Sequence, residues 1–388
     1  MRSEPTRACL RALRGPLGVT IAILLLALLG LLGPAPSGPR VDAQAPDLSQ
    51  ADGRELYVAA CASCHGADGT GASPALLAFD TPVPDFTDCN FATREPDADW
   101  IAIAHQGGPT RAFARLMPAF GEALSIEQLD KILGHIRSFC PDTWPRGDLN
   151  LPRPLFTEKA YPEDEAVWTT TVDTEGGGAA AQELVYEQRF GIRNQLEIVV
   201  PFAWREEDGS WTNGVGDIAA GVKRVLFHDL ETGSILSVTG EVIFPTGDED
   251  RDFGKGTTIF EPFLSYGQLL PRGLFLHGQA GLELPLDTDR ATEEAFARLA
   301  LGRSFTQGGP WGRTWSPMVE VLAARELASG EDVNWDLVPQ FQVTLNTRQH
   351  VMLNAGVRIP MNDTDVRETQ ALVYILWDWF DGGLFAGW

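Results

Sequence analysis

The chain has few cysteines, and they are confined to its first part. Only five occur in 388 residues, and none follows Cys140. A structural zinc site would need a second pair of cysteines or histidines at ligand spacing, and none is visible. No Ser/His/Asp, paired-carboxylate or phosphate-loop pattern stands out either. The sequence therefore does not indicate a hydrolase or a nucleotide-using enzyme.

Basic residues are also scarce. Lysine and arginine total 30 against 53 aspartates and glutamates, a net charge of -23, and without residues 1–43 the balance is 25 minus 51, or -26. Such a surface repels nucleic acid and anionic lipid headgroups, whereas it attracts cations or a basic redox partner. We therefore expect no nucleic-acid partner.

The N-terminal segment has the pattern of a secretory signal. A basic start precedes an apolar run from Leu17 to Leu32, which is followed by Gly33, Pro34 and small residues. This pattern predicts a signal peptide over residues 1–43, removed after Ala43 or Ala45. The alternative is a retained membrane anchor, since a spanning helix needs about 20 apolar residues.

Two cysteines and a histidine form the most specific motif in the chain. Cys61 and Cys64 stand at C-x-x-C spacing, and His65 follows directly. This spacing is used to attach haem: the two thiols add to the vinyl groups, and the histidine coordinates the iron. We predict one covalently bound haem c. A zinc half-site or a redox dithiol is the alternative.

A single methionine is the best candidate for the sixth iron ligand. Met117 is the only methionine between residues 44 and 160, and Pro118 fixes the backbone beside it. His105 and His135 are rival ligands, and a methionine that fills a core gap is the other alternative. Ligation by histidine and methionine raises the reduction potential and fills the coordination position that a substrate would need. An electron carrier is therefore favoured over an enzyme.

Helical patterns surround these motifs and predict an all-α domain over residues 44–140. One helix ends at Cys61, with a capping box predicted from Ser49, a second spans 97–105, and a third begins at the N-cap Ser125. Cys89 and Cys140 remain, and two leftover thiols in an oxidising compartment usually pair. We predict a disulfide between them, with two buried free thiols as the alternative.

Residues 141–165 are rich in proline and predict an extended linker. From residue 166 onwards, apolar and polar residues alternate, which predicts long strands with one apolar face. Connections that alternate between long and short favour an antiparallel outer-membrane β-barrel over residues 166–388, with the preceding domain in the periplasm. A secreted β-sandwich would bury the same apolar faces in its core. Twelve strands are predicted, at 166–173, 181–190, 195–204, 217–227, 234–244, 257–270, 274–286, 295–305, 314–326, 333–346, 349–360 and 370–380.

If the apolar faces contact lipid, the alternating polar residues line the lumen. The predicted lining residues are Glu241, His277, Glu283, Asp336, His350 and Arg358, together with Glu197, Glu261, Glu320 and Arg298. An acidic lumen favours cations. The alternative is that these side chains only hydrogen-bond and solvate the interior.

Two family resemblances accompany these patterns. Residues 47–140 resemble a class I monohaem cytochrome c domain, in Tyr57 before the Cys61–Gly66 segment and in the segment from Met117 to Phe120 before the last helix. The resemblance implies haem attachment at Cys61 and Cys64 and axial ligation by His65 and Met117. Residues 165–388, notably 241–262, resemble outer-membrane channel proteins linked to phenol-degradation pathways. The whole architecture is similar to outer-membrane cytochrome-porins.

Two functions follow from these expectations. The first is a c-type cytochrome tethered to an outer-membrane barrel, which exchanges electrons with a periplasmic redox carrier or with a donor or acceptor at the outer membrane. The second is an outer-membrane channel for small or hydrophobic molecules, in which the haem domain senses redox state or acts as a lid.

Overall fold

The computed structural model describes residues 48–77, 82–174, 179–207 and 209–379. The predicted signal segment and the C-terminal Trp388 lie outside the described residues. The described residues from 51 onwards form one compact unit, and the helices and strands below belong to it.

The first part of this unit is helical. Its helices are α1 (Gly53–Ala60), α2 (Ala62–His65), α3 (Pro74–Leu77), α4 (Cys89–Ala92), α5 (Asp97–Gln106) and α6 (Ile126–Arg137), with 3₁₀ turns at Gly108–Arg111 and Gly147–Leu149. The cap predicted at Ser49 is wrong: Asp52 caps α1, and its side chain accepts from the backbone N–H of Glu55 at 2.8 Å. The cap of α6 at Ser125 is confirmed.

The core of the helical domain lies between α1 and α6. Leu56 and Tyr57 of α1 are fully buried, and the apolar stripe of α6 buries Leu129, Ile132 and Leu133. Each such side chain removed from water contributes about 1.5–3 kcal/mol. The Tyr57 ring also packs edge-on against His135, with centroids 5.2 Å apart. These contacts hold the residues that follow α1 in a fixed position.

The second part is a closed antiparallel barrel of twelve strands, as predicted. The strands, with two short extra ones, are β1 (Glu165–Asp173), β2 (Ala179–Phe190), β3 (Asn194–Glu207), β4 (Ser210–Val215), β5 (Ala219–Asp229), β6 (Ser234–Ile243), β7 (Ile259–Leu269), β8 (Leu274–Pro285), β9 (Glu294–Arg303), β10 (Phe305–Gln307), β11 (Arg313–Glu326), β12 (Asn334–Thr344), β13 (Val351–Pro360) and β14 (Gln370–Asp378). Each long strand pairs with its neighbours along the chain, and β1 closes on β14, with Glu165 opposite Asp378. The two short strands, β4 and β10, only extend hairpins.

The barrel is polar inside and apolar outside, and this excludes the sandwich. On β2, Leu184 is 48% exposed while Glu187 is 0% exposed, and the alternation recurs around the barrel. A closed sheet leaves no unpaired edge in lipid, and an apolar outer band is what a transmembrane barrel presents to the bilayer. Among the described residues, no helix has the length and apolarity to cross a membrane.

Candidate functional sites

The C-x-x-C-H segment is held in place by α1 and by Tyr57, which lies in the middle of that helix. Cys61 ends α1, donating its backbone N–H to the carbonyl of Tyr57 at 2.8 Å. The backbone N–H of His65 donates back to the carbonyl of Cys61 at 2.9 Å, which winds the motif into the single turn α2. The Tyr57 hydroxyl then donates to the carbonyl of Gly66 at 2.7 Å. The side chains of Cys61 and Cys64 both lie at this turn.

His65 lies in an apolar setting that keeps its ring neutral. The imidazole stacks on Phe86 at a centroid distance of 4.6 Å, and its buried Nδ1 has no hydrogen-bond partner among the described residues. Burial lowers the pKa of His65 to about 4. At neutral pH the ring therefore keeps a nitrogen lone pair that it can give to a metal.

Met117 lies on a loop closed by two glycines. Gly107 ends α5 at a φ of 86°, a conformation that a side chain would strain. The backbone N–H of Gly108 donates to the carbonyl of Met117 at 3.1 Å, and a Cβ at Gly108 would lie 2.3 Å from the carbonyl oxygen of Ala114. The sequence therefore requires glycine at this point to bring the two ends of the Met117 loop together.

The rival histidines are engaged elsewhere. His135 packs against Tyr57 and Phe139, and the ring of His105 lies 4.6 Å from that of Trp311 in the barrel. Two thiols at the attachment spacing, a neutral imidazole and a thioether remain, and this donor set fits a c-type haem.

The structure joins the sulfurs of Cys89 and Cys140, whose Cα atoms are 5.5 Å apart. Cys89 begins α4, and Cys140 lies three residues after α6. The bond therefore ties the segment before α5 to the end of the last helix.

The helical domain packs on the end of the barrel where β1 begins and β14 ends, which we call the docking end. Arg94 forms an ion pair with Asp164, the residue before β1. His350, in the turn between β12 and β13, lies between two carboxylates: its Nε2 is 2.9 Å from Oε1 of Glu95, and its Nδ1 is 2.8 Å from Oδ1 of Asp378. Predicted as a luminal residue, His350 instead joins the two domains.

The predicted linker does not lie between the domains as a free connector. Residues 150–164, which we call the luminal segment, enter the barrel from the docking end and return to β1. Arg153 is buried, with Nη1 2.9 Å from Glu165 and 3.1 Å from Glu187 on β1 and β2. Nζ of Lys159 lies 2.5 Å from Glu163 and 3.0 Å from Glu165. The segment thus supplies cations to the acidic wall.

The opposite wall binds the backbone of the luminal segment. Glu320 of β11, fully buried, accepts from the backbone N–H groups of Leu155 and Thr157 at 2.9 and 2.8 Å, and from the Thr157 hydroxyl at 2.6 Å. His277 of β8 lies with Nε2 3.0 Å from the carbonyl of Pro152. Further contacts come from Ser237, Gln195, Asn354, Tyr374 and Arg298, on five other strands.

The remaining predicted lumen residues fall into separate groups. Asp336 pairs with Arg358 at 2.7 Å, away from the segment's charged residues. Glu283 lies half-buried on β8. Glu241 lines a cavity of about 320 Å³ beside the luminal segment, together with Glu183, Glu197, Glu261 and Arg298. The acidic lumen expected from the sequence is therefore partly filled by the luminal segment.

Sequence reasoning missed Arg153, Lys159 and Thr157 as functional residues. The only available signal was the density of charged residues, Arg153, Glu158, Lys159 and Glu163, in a stretch otherwise typical of a proline-rich linker.

Comparison with known proteins agrees with this division of the chain. Residues 164–374 match the family described as putative MetA-pathway of phenol degradation, and residues 49–136 match the family described as cytochrome C oxidase, cbb3-type, subunit III. A search of curated protein sequences finds no match.

Several solved barrels are similar in outline. An outer membrane channel from Pseudomonas putida F1 is 14% identical with a TM-score of 0.38, covering 58% of this chain and 99% of that chain. The KdgM porin is 9% identical with a TM-score of 0.37, covering 55% and 99%. The beta domain of the Bordetella autotransporter BrkA is 14% identical with a TM-score of 0.37, covering 56% and 100%.

Fold and family matches together define an outer-membrane β-barrel preceded by a cytochrome c-type domain. Since the barrel match spans residues 164–374, more than half of the chain, the protein belongs to the family of the putative MetA-pathway of phenol degradation.

Proposed function

We propose that this protein is a c-type cytochrome anchored by its own barrel, which passes electrons at the periplasmic face of the outer membrane. Cys61 and Cys64 hold the haem covalently, and His65 and Met117 are its axial ligands. A haem bound in this way exchanges single electrons and has no open position for a substrate.

One observation supports the proposal: hydrogen bonds hold the backbone next to His65 and the backbone of Met117. Tyr57 fixes the carbonyl of Gly66 next to His65, and Gly108 fixes the carbonyl of Met117. His65 is half-buried, and its Nδ1 has no hydrogen-bond partner among the described residues. Partial burial lowers the pKa of His65 to about 4, which favours the neutral ring. A cysteine pair for zinc would need two further ligands of this kind, and the described residues around the motif offer none.

The orientation of the barrel follows from the chain's order. The helical domain and the end of β14 both lie at the docking end. Most connections there are short, such as the three residues between β2 and β3, although the connection from β9 to β11 is longer. Short turns are typical of the periplasmic side in barrels of this class. We therefore assign the docking end, and the redox site with it, to the periplasm, where a soluble carrier can reach it.

A channel with the haem domain as its lid is the second candidate. It is favoured by the continuity between the helical domain and the luminal segment, because movement of the domain would pull on residues 150–164. Against an open pore stands the segment itself, which is hydrogen-bonded to the wall on opposite sides, at Glu165 and at Glu320.

Fractionation with haem staining tests the proposal. Cells expressing the full chain should yield a haem-stained band in the outer membrane, with the heat-modifiable gel migration of a barrel. The purified protein should accept an electron from a soluble one-electron donor and show a six-coordinate spectrum. Haem staining that persists in a Cys61→Ala, Cys64→Ala double variant under denaturing conditions would contradict covalent attachment at these residues. A matched Cys89→Ser, Cys140→Ser variant should keep the stain.

A further inference from the structure

The loop that carries Met117 is only partly held by its own domain. At its base, the backbone N–H of Phe120 donates to the carbonyl of Ala104 at 3.0 Å, and Gly108 binds the carbonyl of Met117. At its other side, the N–H of Phe113 donates to the carbonyl of Gly108 at 3.0 Å. Residues 111–113, the tip of the loop, contact the barrel as well as their own domain, in which Nε of Arg111 lies 2.5 Å from Oδ1 of Asp99 on α5.

Two turns at the docking end of the barrel contact this tip. Arg348, between β12 and β13, directs Nε at the carbonyl of Arg111 and Nη2 at the carbonyl of Ala112, each at 3.4 Å. Its guanidinium also lies over the ring of Phe113, 4.2 Å from the centroid. From the other side, Nη1 of Arg111 donates to the carbonyl of Trp311 at 2.8 Å.

Arg348 contacts the loop at a residue whose backbone conformation is unfavourable. Ala112 has a φ of 57°, in the left-handed region that residues with a Cβ seldom adopt. Such a conformation persists only where the surroundings fix it. The carbonyl of Ala112 is one of the two that Arg348 approaches, and Arg348 itself is only 7% exposed. The barrel thus contacts the loop at its strained residue.

We infer that Arg348 is a positioning residue for the axial ligand: the barrel, through Arg348, holds the loop in the conformation that presents Met117. The inference rests on the proposed function, since it requires haem ligation by Met117. A thioether is a weak, neutral ligand, so its coordination depends on the groups that support its loop. Through this contact, the membrane-embedded part of the chain controls the ligation of the redox site.

The test compares full-length, haem-loaded proteins in detergent. Arg348→Gln removes the stacking and the charged donors. Arg348→Lys keeps the charge but loses the planar, two-point contact. Arg303→Gln is the control, because Arg303 is an exposed arginine at the same end that donates to the carbonyl of Arg272, outside the loop. Heat-modifiable migration verifies that each barrel is folded. The readouts are the near-infrared sulfur-to-iron charge-transfer band, the reduction potential and carbon monoxide binding by the reduced form.

We expect Arg348→Gln to weaken the charge-transfer band, lower the potential and increase carbon monoxide binding by about tenfold, the value of one hydrogen bond from a charged donor. Arg348→Lys should change the same three readouts in the same direction, and Arg303→Gln should match wild type. If both Arg348 variants fold and match wild type in all three, the inference is overturned. If the wild type itself carries covalent haem but lacks the band and behaves like Met117→Ala, then the proposed ligation by Met117 fails, and the inference fails with it.

Discussion

Arg153 Nη1 lies 2.9 Å from Glu165 Oε1 inside the barrel, joining the segment before the first strand to that strand. Glu187, on the neighbouring strand, accepts from the same nitrogen at 3.1 Å. All three side chains are buried. Buried ion pairs therefore hold the luminal segment to the wall.

Arg153→Gln tests this dependence. Removing one partner of a buried ion pair costs about 3–5 kcal/mol where the remaining charge is left uncompensated. Because Lys159 still lies 3.0 Å from Glu165 and Lys223 lies 3.9 Å from Glu187, we expect a cost near the lower end of this range. We expect the variant's barrel to unfold at a lower temperature, measured as the transition from the compact to the heat-unfolded gel band. Arg290→Gln is the matched control, since Arg290 is 45% exposed and its pair with Asp287 is worth only about 0–1 kcal/mol. Equal transition temperatures for the two variants would contradict the structural role of Arg153.

Glu320→Gln tests whether the luminal segment seals the lumen. The carboxylate accepts from the backbone N–H groups of residues 155–157 and from the hydroxyl of Thr157. An amide has one acceptor oxygen in place of two, so several of these bonds are lost. In planar bilayers we expect the variant to show more frequent and larger openings than wild type, which should be closed for most of the recording. A wild type with a steady, large conductance would mean that the segment does not occlude the barrel.

The double variant Cys89→Ser, Cys140→Ser tests the disulfide. The two residues are 51 positions apart. Closing a loop of that size raises the free energy of the unfolded chain by about 4 kcal/mol, because it removes conformational entropy. The helical domain should therefore unfold at lower denaturant concentration, followed by the haem absorbance, whereas covalent haem staining should be unchanged. Two free thiols in unreduced, unfolded wild type would show that the bond does not form.

His350→Leu tests the docking of the helical domain. The imidazole lies within 2.9 Å of Glu95 of the helical domain and 2.8 Å of Asp378 of the barrel, so leucine leaves both buried carboxylates without it. We expect faster amide hydrogen exchange in residues 94–97 and easier proteolytic cleavage in residues 141–146. His135→Gln, which alters a histidine within the helical domain, should leave both rates unchanged. Cleavage of His350→Leu at the wild-type rate would argue that other contacts dominate docking.

Local sequence patterns were sufficient to predict the long strands, but they did not predict that residues 150–164 fill the barrel. Alternation over ten or more residues identified each long strand, because a side chain's face in a sheet repeats every two residues. The six-residue β4 was missed, since so short a stretch carries little periodicity. The luminal segment has no periodicity at all, and some of its partners are remote in the sequence, such as Glu320, which lies 163 residues from Thr157.

The functional residues also divide into those that the sequence identifies and those that only the folded structure identifies. Cys61, Cys64 and His65 could be selected from spacing, since haem attachment needs adjacent residues. Arg348 could not, because its relation to the Met117 loop exists only once the barrel has closed and the helical domain has docked. Likewise, His350 alternates in phase with the luminal residues, and only its place in a turn separates it from them.

The luminal segment enters and leaves the barrel by the same opening. Close to the docking end, one apolar cluster contains Leu149, just before the segment, and Tyr161, near its end, together with Val225 and Ile235. Between these two residues, Phe156 contacts Arg358 deeper inside the barrel. A stretch inserted as a hairpin crosses no other part of the chain. Its withdrawal would break no strand pairing of the wall, and the cytochrome domain is the part of the chain to which the start of the segment is joined.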